Sequence, residues 1–207
     1  LLYIPKYLRV LTKADARGLS DLVPMKLWRI QEDFIRNKTK RNICVKPRQV
    51  GFSTGVLADN AHAFFTEPYH RMVIITHDEE TAEFLLSTIN RFYNHLPDDM
   101  RPKADLRAAH RIRLENLDSY IYIDSAKSDA IGIGHGLTKV HLSEVSRWPE
   151  KKADTLFADI SQTVSAGGEI TLEAKPQGRG GLFYRLYDAA RRGDINYKTF
   201  FYPWWWD

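Results

Sequence analysis

Asn42-Ile43-Cys44-Val45-Lys46-Pro47-Arg48-Gln49-Val50-Gly51-Phe52-Ser53-Thr54 is the stretch that decides how this chain is read. A short apolar run, Ile43-Cys44-Val45, predicts a buried strand. A loop follows, and Ser53 or Thr54 can cap the helical pattern of Val56, Leu57, Ala61, Phe64 and Phe65. A standard phosphate-binding loop reads G-x-x-x-x-G-K-[ST]. Its backbone amides cradle phosphates, its lysine reaches the β- and γ-phosphates, and its hydroxyl holds Mg²⁺. Gly51 and Ser53 keep that spacing, but Phe52 fills the lysine slot and Lys46 stands where the first glycine belongs. Two readings are open at this level. One is an ordinary strand-to-helix turn with basic residues on its surface; the other is a phosphate cradle whose ammonium arrives from the opposite end of the loop.

The whole chain bounds the choice. Its 207 residues suit one domain with an appendage, and 43% hydrophobic content with 12% aromatics is enough for a real core. Lys+Arg of 30 against Asp+Glu of 26 gives +4, which permits a polyanionic partner without requiring one. Cys44 is the single cysteine, so no internal disulfide forms, and a reducing compartment is expected. No apolar stretch approaches the ~18–20 residues of a membrane span. The Leu1-Leu2-Tyr3 start has no signal-peptide pattern, and both ends read as cuts in a longer protein.

Around the loop, the periodicities alternate. Residues 1–40 read as short helical patterns broken at Pro5, Gly18 and Pro24, with Leu27, Ile30 (or Gln31) and Phe34 on one helical face. Met72-Val73-Ile74-Ile75-Thr76 is a second buried-type strand. Asp78 then opens a helix with Ala82, Phe84, Leu85, Ile89 and Phe92 inward. Residues 111–115 and 120–124 alternate as an antiparallel hairpin. A glycine-rich loop at 131–136 leads to a strand at 139–142, and helical patterns cover 153–164 and 182–192. Further strands lie at 169–174 and about 196–202. Strands separated by helices predict an α/β fold with a mainly parallel sheet flanked by helices. The expectation is an N-terminal helical arm over 1–40 and a core over 41–207 that carries an inserted hairpin.

Two further strand ends hold candidate chemistry. In phosphate-loop enzymes a second strand ends in an acidic pair, one member for Mg²⁺ and one for the attacking water. Here the pair is Ser143-Glu144. Glu144 can act as base, while Ser143 can hold a metal-bound water but brings no charge. On the next strand, Thr171-Leu172-Glu173 offers a hydroxyl or carboxylate toward a γ-phosphate.

The three strand ends fall in the order of an ATPase core, and together they resemble the ATPase (motor) domain of the large terminase subunit of tailed bacteriophages. The resemblance runs from about Gln31 onward. It rests on Lys46-Pro47-Arg48-Gln49-Val50-Gly51-Phe52-Ser53-Thr54, on Leu142-Ser143-Glu144-Val145-Ser146-Arg147-Trp148, and on residues 169–175 with Gly178-Arg179-Gly180-Gly181. Terminases often carry a loop of the form K-x-R-Q-x-G-x-S-T, with the lysine at its start.

The resemblance implies a P-loop NTPase of the ASCE type that uses ATP and Mg²⁺. Lys46 and Glu144 would be catalytic. Gln31, Lys46, Arg48, Gln49, Val50, Gly51, Phe52, Ser53 and Thr54 would bind ATP, Gln31 by reading adenine. Ser53 would ligate Mg²⁺, Ser143 would reach it through water, and Thr171 would couple hydrolysis to movement. The implied partners are double-stranded DNA, a portal protein, the small terminase subunit and further copies in a ring, with a monomer in isolation and no membrane. The implied place is the host cytoplasm, docked on a procapsid. A nuclease domain would follow in the full protein, so no nuclease activity is expected of these residues. Ser143 departs from the usual aspartate. No arginine occupies residues 125–136, where many terminases carry a trans-acting finger; Lys127, Arg101 and Arg147 are the substitutes at hand. Two other readings compete: a helicase-like translocase, and a DNA-binding module with a decayed nucleotide site.

Overall fold

A computed structural model describes residues 1–206 apart from 107, 129, 130, 132, 133 and 135. In chain order its elements are α1 (Tyr3–Tyr7), β1 (Arg9–Leu11), β2 (Leu22–Pro24), α2 (Arg29–Asn37), β3 (Arg41–Val45), α3 (Phe52–Thr66), β4 (Arg71–Thr76) and α4 (Glu79–Asn94). There follow β5 (Ala104–Asp105), β6 (Arg111–Leu114), β7 (Ser119–Ser125), β8 (Leu137–Ser143), α5 (Glu150–Thr163), β9 (Val164–Ala174), α6 (Gly181–Arg192) and β10 (Lys198–Phe201).

Among the described residues the main sheet has eight strands in the order β10-β3-β9-β8-β4-β7-β6-β5. Pairing is parallel from β10 to β7 and antiparallel from β7 to β5. The hairpin expected at 111–124 is therefore β6 and β7, with β5 outside it at the sheet's edge. Its second strand, β7, pairs parallel with β4 and belongs to the core.

The central strands read as continuous apolar runs because both faces are covered. Successive side chains point to opposite faces. Met72 and Ile74 join Leu57, Phe64, Leu85, Ile89 and Phe92 beneath α3 and α4. Val73 and Ile75 join Val140, Leu142, Leu172, Ile160 and Phe183 beneath α5 and α6. Each such apolar side chain contributes ~1.5–3 kcal/mol on burial.

Three expectations are corrected. The N-terminal arm is not all helical, because β1 and β2 pair antiparallel through Arg9↔Pro24 and Leu11↔Leu22. Phe84 is exposed and faces away from the sheet, while Ala82, Leu85, Ile89 and Phe92 face inward. The expected helix capping by Ser53 or Thr54 does not occur, because α3 already starts at Phe52, with Gly51 as its left-handed N-cap. The Asp78 cap is as expected, its carboxylate accepting from the Thr81 N–H.

Candidate nucleotide site

Parallel strands aim their carboxyl ends in one direction, and the connecting loops gather there. The loop after β3 meets the ends of β8 and β9 because β9 lies between β3 and β8 in the sheet. Lys46, the first residue past β3, donates its backbone N–H to the Ala174 carbonyl at 3.1 Å. Its ammonium lies 2.7 Å from Glu144 Oε1 and 3.2 Å from Glu173 Oε2. Burial works against the charged form of Lys46, but Glu173 and Glu144 outweigh it, and the ammonium holds its proton more firmly than a free lysine.

Ser53 stands in the first turn of α3 and donates to Glu173 Oε1 at 2.6 Å, with Ser143 Oγ 3.3 Å away. Ser143 donates to the same Glu173 oxygen at 2.6 Å. Burial pushes the Glu173 carboxyl up, yet Lys46, His141 and Ser143 pull it far below the ordinary carboxylate range. Lys46, Ser53, Ser143, Glu144 and Glu173 thus form one connected polar cluster beside the loop between β3 and α3. The first amides of α3 have no partners within the helix and carry the partial positive charge of a helix N-terminus.

Phe52, the residue in the lysine slot, turns away from this cluster. It is buried among Phe34, Val50, Val56, Phe200 and Tyr202, with the Phe34 ring edge-on at 4.8 Å. Gly51 has φ 59°, and a Cβ there would meet Gln31 Nε2 at 2.9 Å. Gln31 is buried, donates through Nε2 to the Gly51 carbonyl at 2.7 Å, and accepts from the Trp28 N–H at 2.9 Å. Its Oε1 thus caps the start of α2, and its Nε2 ties α2 to the loop. Arg48 and Gln49 are exposed on the loop's outer rim, Val50 is buried, and Thr54 is half-buried in the first turn of α3.

Thr171 is not brought to the cluster. It pairs across from Asn42 and His141, contacts Asn42 Nδ2 at 3.3 Å, and donates to Glu169 Oε1 at 3.4 Å. A strand rises ~3.3 Å per residue, so Thr171 sits two residues, ~6–7 Å, below Glu173 on β9. Glu173 occupies the position at the site. The sequence offered this carboxylate beside the Thr171 hydroxyl without choosing between them, and the alternation of Glu169, Thr171 and Glu173 puts all three on one face of β9. His141 was missed, because a lone histidine inside an apolar strand carries no signal of its own, and its Nε2 lies 3.5 Å from Glu173 Oε1.

Glu144 has φ 50° and ψ 41°, a left-handed conformation that is rare outside glycine. The turn holding it is braced by Trp148 Nε1 donating to the Ser143 carbonyl at 3.1 Å and by Ser146 Oγ donating to the Lys175 carbonyl at 3.0 Å. Such strain at a strand's carboxyl end marks a placed side chain. Of the finger substitutes, Arg147 folds back on His77, Arg101 donates to the Leu96 carbonyl at 2.7 Å, and Lys127 is exposed. Part of the 125–136 loop lies outside the described residues.

A cleft of about 720 Å³ opens beside the cluster on the α6 side, between Val45, Ser146, Gln177, Arg179, Tyr184 and Phe201. None of Lys46, Ser53, Glu144 or Glu173 lines it. The side-chain geometry therefore marks the chemistry, and the cleft is its neighbour.

No protein-family model and no curated protein matches the sequence. Solved structures do. The HK97 bacteriophage large terminase matches over all of this chain and 44% of its own, at 16% identity and a TM-score of 0.73. The ATPase domain of a Thermus phage large terminase matches over 85% of this chain and 80% of its own, at 18% identity and 0.64. The large terminase of a thermophilic bacteriophage in complex with ADP matches over 80% of this chain and 41% of its own, at 16% identity and 0.57. This chain thus spans less than half of the HK97 protein. The sheet order, the loop at the end of β3 and these likenesses agree: the chain has the fold of the ATPase domain of phage large terminases.

Proposed function

We propose that this domain hydrolyses ATP and drives double-stranded DNA into procapsids, as the motor part of a viral packaging terminase. The observation that carries the reading is the placement of Lys46. Its ammonium enters from the start of the loop and meets the strand-end carboxylate of Glu144 at 2.7 Å, while the usual lysine slot is filled by a core phenylalanine. A ring of copies with a portal and a small subunit, working in the host cytoplasm, completes the reading. Residues 1–40 form its adenine-side arm, residues 41–207 its core, and a separate nuclease domain lies elsewhere in the whole protein. Among the described residues no helix is long and apolar enough to cross a membrane.

In this reading Lys46 and the amides of residues 51–54 neutralise the phosphates, with Arg48, Gln49 and Thr54 around them. Catalysis is then positioning and charge stabilisation. A water oxygen bonds to the γ-phosphorus as the bond to the bridging oxygen of ADP breaks, and Glu144 takes the water's proton. That requires Glu144 to leave Lys46, so phosphate, competing for the ammonium, frees the base. The hydroxyl and carboxylate oxygens of Ser53, Ser143 and Glu173 are the hard donors that suit Mg²⁺. When bound, the ion would neutralise charge on the transferring phosphate. Thr171, below the strand end, would act on coupling through β9.

Glu144→Gln should retain nucleotide binding and lose turnover by about 10²–10⁴-fold. Lys46→Ala should weaken ATP binding by about 10–100-fold, the loss of a charge-assisted contact. Calorimetry and phosphate release measure both. Wild-type turnover in the first variant refutes the base, and unchanged affinity in the second refutes the loop. Stimulation by single-stranded rather than duplex DNA would point to a helicase-like translocase. Failure to bind ATP with Mg²⁺ would point to a decayed site.

A further inference from the structure

Ser143 leaves the strand-end pair one negative charge short, and a carboxylate stands directly across from it. Glu173 on β9 is in register with Ser143 on β8 and is fully buried. Its Oε1 accepts from both Ser53 and Ser143 at 2.6 Å. Its Oε2 is buried, accepts no hydrogen bond, and lies 3.2 Å from the Lys46 ammonium. A second carboxylate oxygen in the cluster, Glu144 Oε2, is likewise buried without a donor. One ammonium thus faces two carboxylates, and a buried unbalanced charge is costly unless something else neutralises it.

We propose that the negative charge absent at position 143 has moved one strand across, and that Glu173 is the carboxylate that holds the nucleotide's divalent cation, together with Ser53. Ser143 bridges them, orienting the Glu173 oxygen from the position an acid would occupy. The inference rests on the ATP-binding reading above. It fits the donor set, all hard oxygens. Among the described residues no three His, Cys, Asp or Glu side chains form a metal cage of their own. A cation that shares its coordination with phosphate and water needs none.

The rival role is purely internal, with Glu173 anchoring Lys46. Mn²⁺ titration by electron paramagnetic resonance at saturating ADP separates the two. Glu173→Gln should weaken Mn²⁺ binding by about 10–100-fold. Adding Ser143→Asp to that variant should restore the metal. Unchanged Mn²⁺ affinity in Glu173→Gln overturns the proposal. If that variant does not fold, the wild-type chain still decides. Fe²⁺ with ascorbate and ADP should cut the backbone near 53, 143 and 173; cuts near 53 alone overturn the proposal. Loss of metal-free ADP binding in the wild type would instead overturn the nucleotide reading itself, and this inference with it.

Discussion

At the scale of single residues, Phe52 explains the displaced lysine. The position after Gly51 points into the seam between α2, β3 and β10, where Phe52 is 2% exposed and packs on Phe34 and Tyr202. An ammonium there would be buried among aromatic and aliphatic side chains. Phe52→Lys, which restores the standard motif in writing, should therefore destabilise the fold by about 3–5 kcal/mol and gain no phosphate contact. Denaturant unfolding and ATP titration check both halves. An equally stable variant with tighter ATP binding would show that the slot faces the phosphates after all. Gly51 is bound to the same local packing, since any Cβ at that backbone angle meets Gln31.

At the scale of elements, a polar stripe crosses the α3 face of the sheet. Lys139, His141 and Ser143 on β8 pair with Glu169, Thr171 and Glu173 on β9. The upper end of the stripe is the candidate site. The lower end is an ion cluster: Lys38 lies 2.6 Å from Asp59 and 2.8 Å from Glu169, and Lys139 lies 2.5 Å from Glu169. Burial raises the Glu169 carboxyl, but Lys38 and Lys139 outweigh it and hold it below the ordinary range. Removing one member of a mostly buried cluster leaves charge unpaired, so Glu169→Gln should cost about 3 kcal/mol. Asp59 still serves Lys38, so most of the loss falls on Lys139. Chemical denaturation of Glu169→Gln measures the loss, and a change within ~0.5 kcal/mol, the surface range, would show that the cluster is effectively solvated.

At the scale of the whole molecule, the sheet separates two apolar layers and carries its charged groups at its two ends. Acid should loosen this arrangement. Burial is the main cause lowering the His70 pKa to about 4 from 6.5, with Lys139 adding to it. A histidine kept neutral when folded makes the unfolded chain bind more protons between those values. Stability therefore rises with pH across that window and falls as pH drops through it. The span corresponds to on the order of 3 kcal/mol. Glu173 acts in the same direction lower down: its depressed pKa contributes stability above its unfolded value, lost as pH falls toward the folded one. Unfolding free energies at about pH 7, 5.5 and 4.5 should decline, and His70→Asn should flatten the upper part of the slope. An unchanged slope in that variant would remove His70 as the cause.

Most of the architecture was legible along the chain, because apolar runs such as residues 72–76 and the helical spacing of residues 82–92 bury themselves wherever they occur. Strand, loop and helix around Lys46, and Glu144 at its strand's end, followed from local pattern alone. Residues 9–24 escaped because a short hairpin with one half-buried face carries little period. His141 escaped, and the choice between Thr171 and Glu173 stayed open, because a polar group inside an apolar strand means nothing until its neighbours are known. Local physics determined which segments become strands and helices, and where a phosphate loop can form. Only the tertiary structure decided that β9 lies between β3 and β8. That adjacency brings Lys46, Ser53, Ser143 and Glu173 within hydrogen-bonding distance, across as many as 127 positions of sequence.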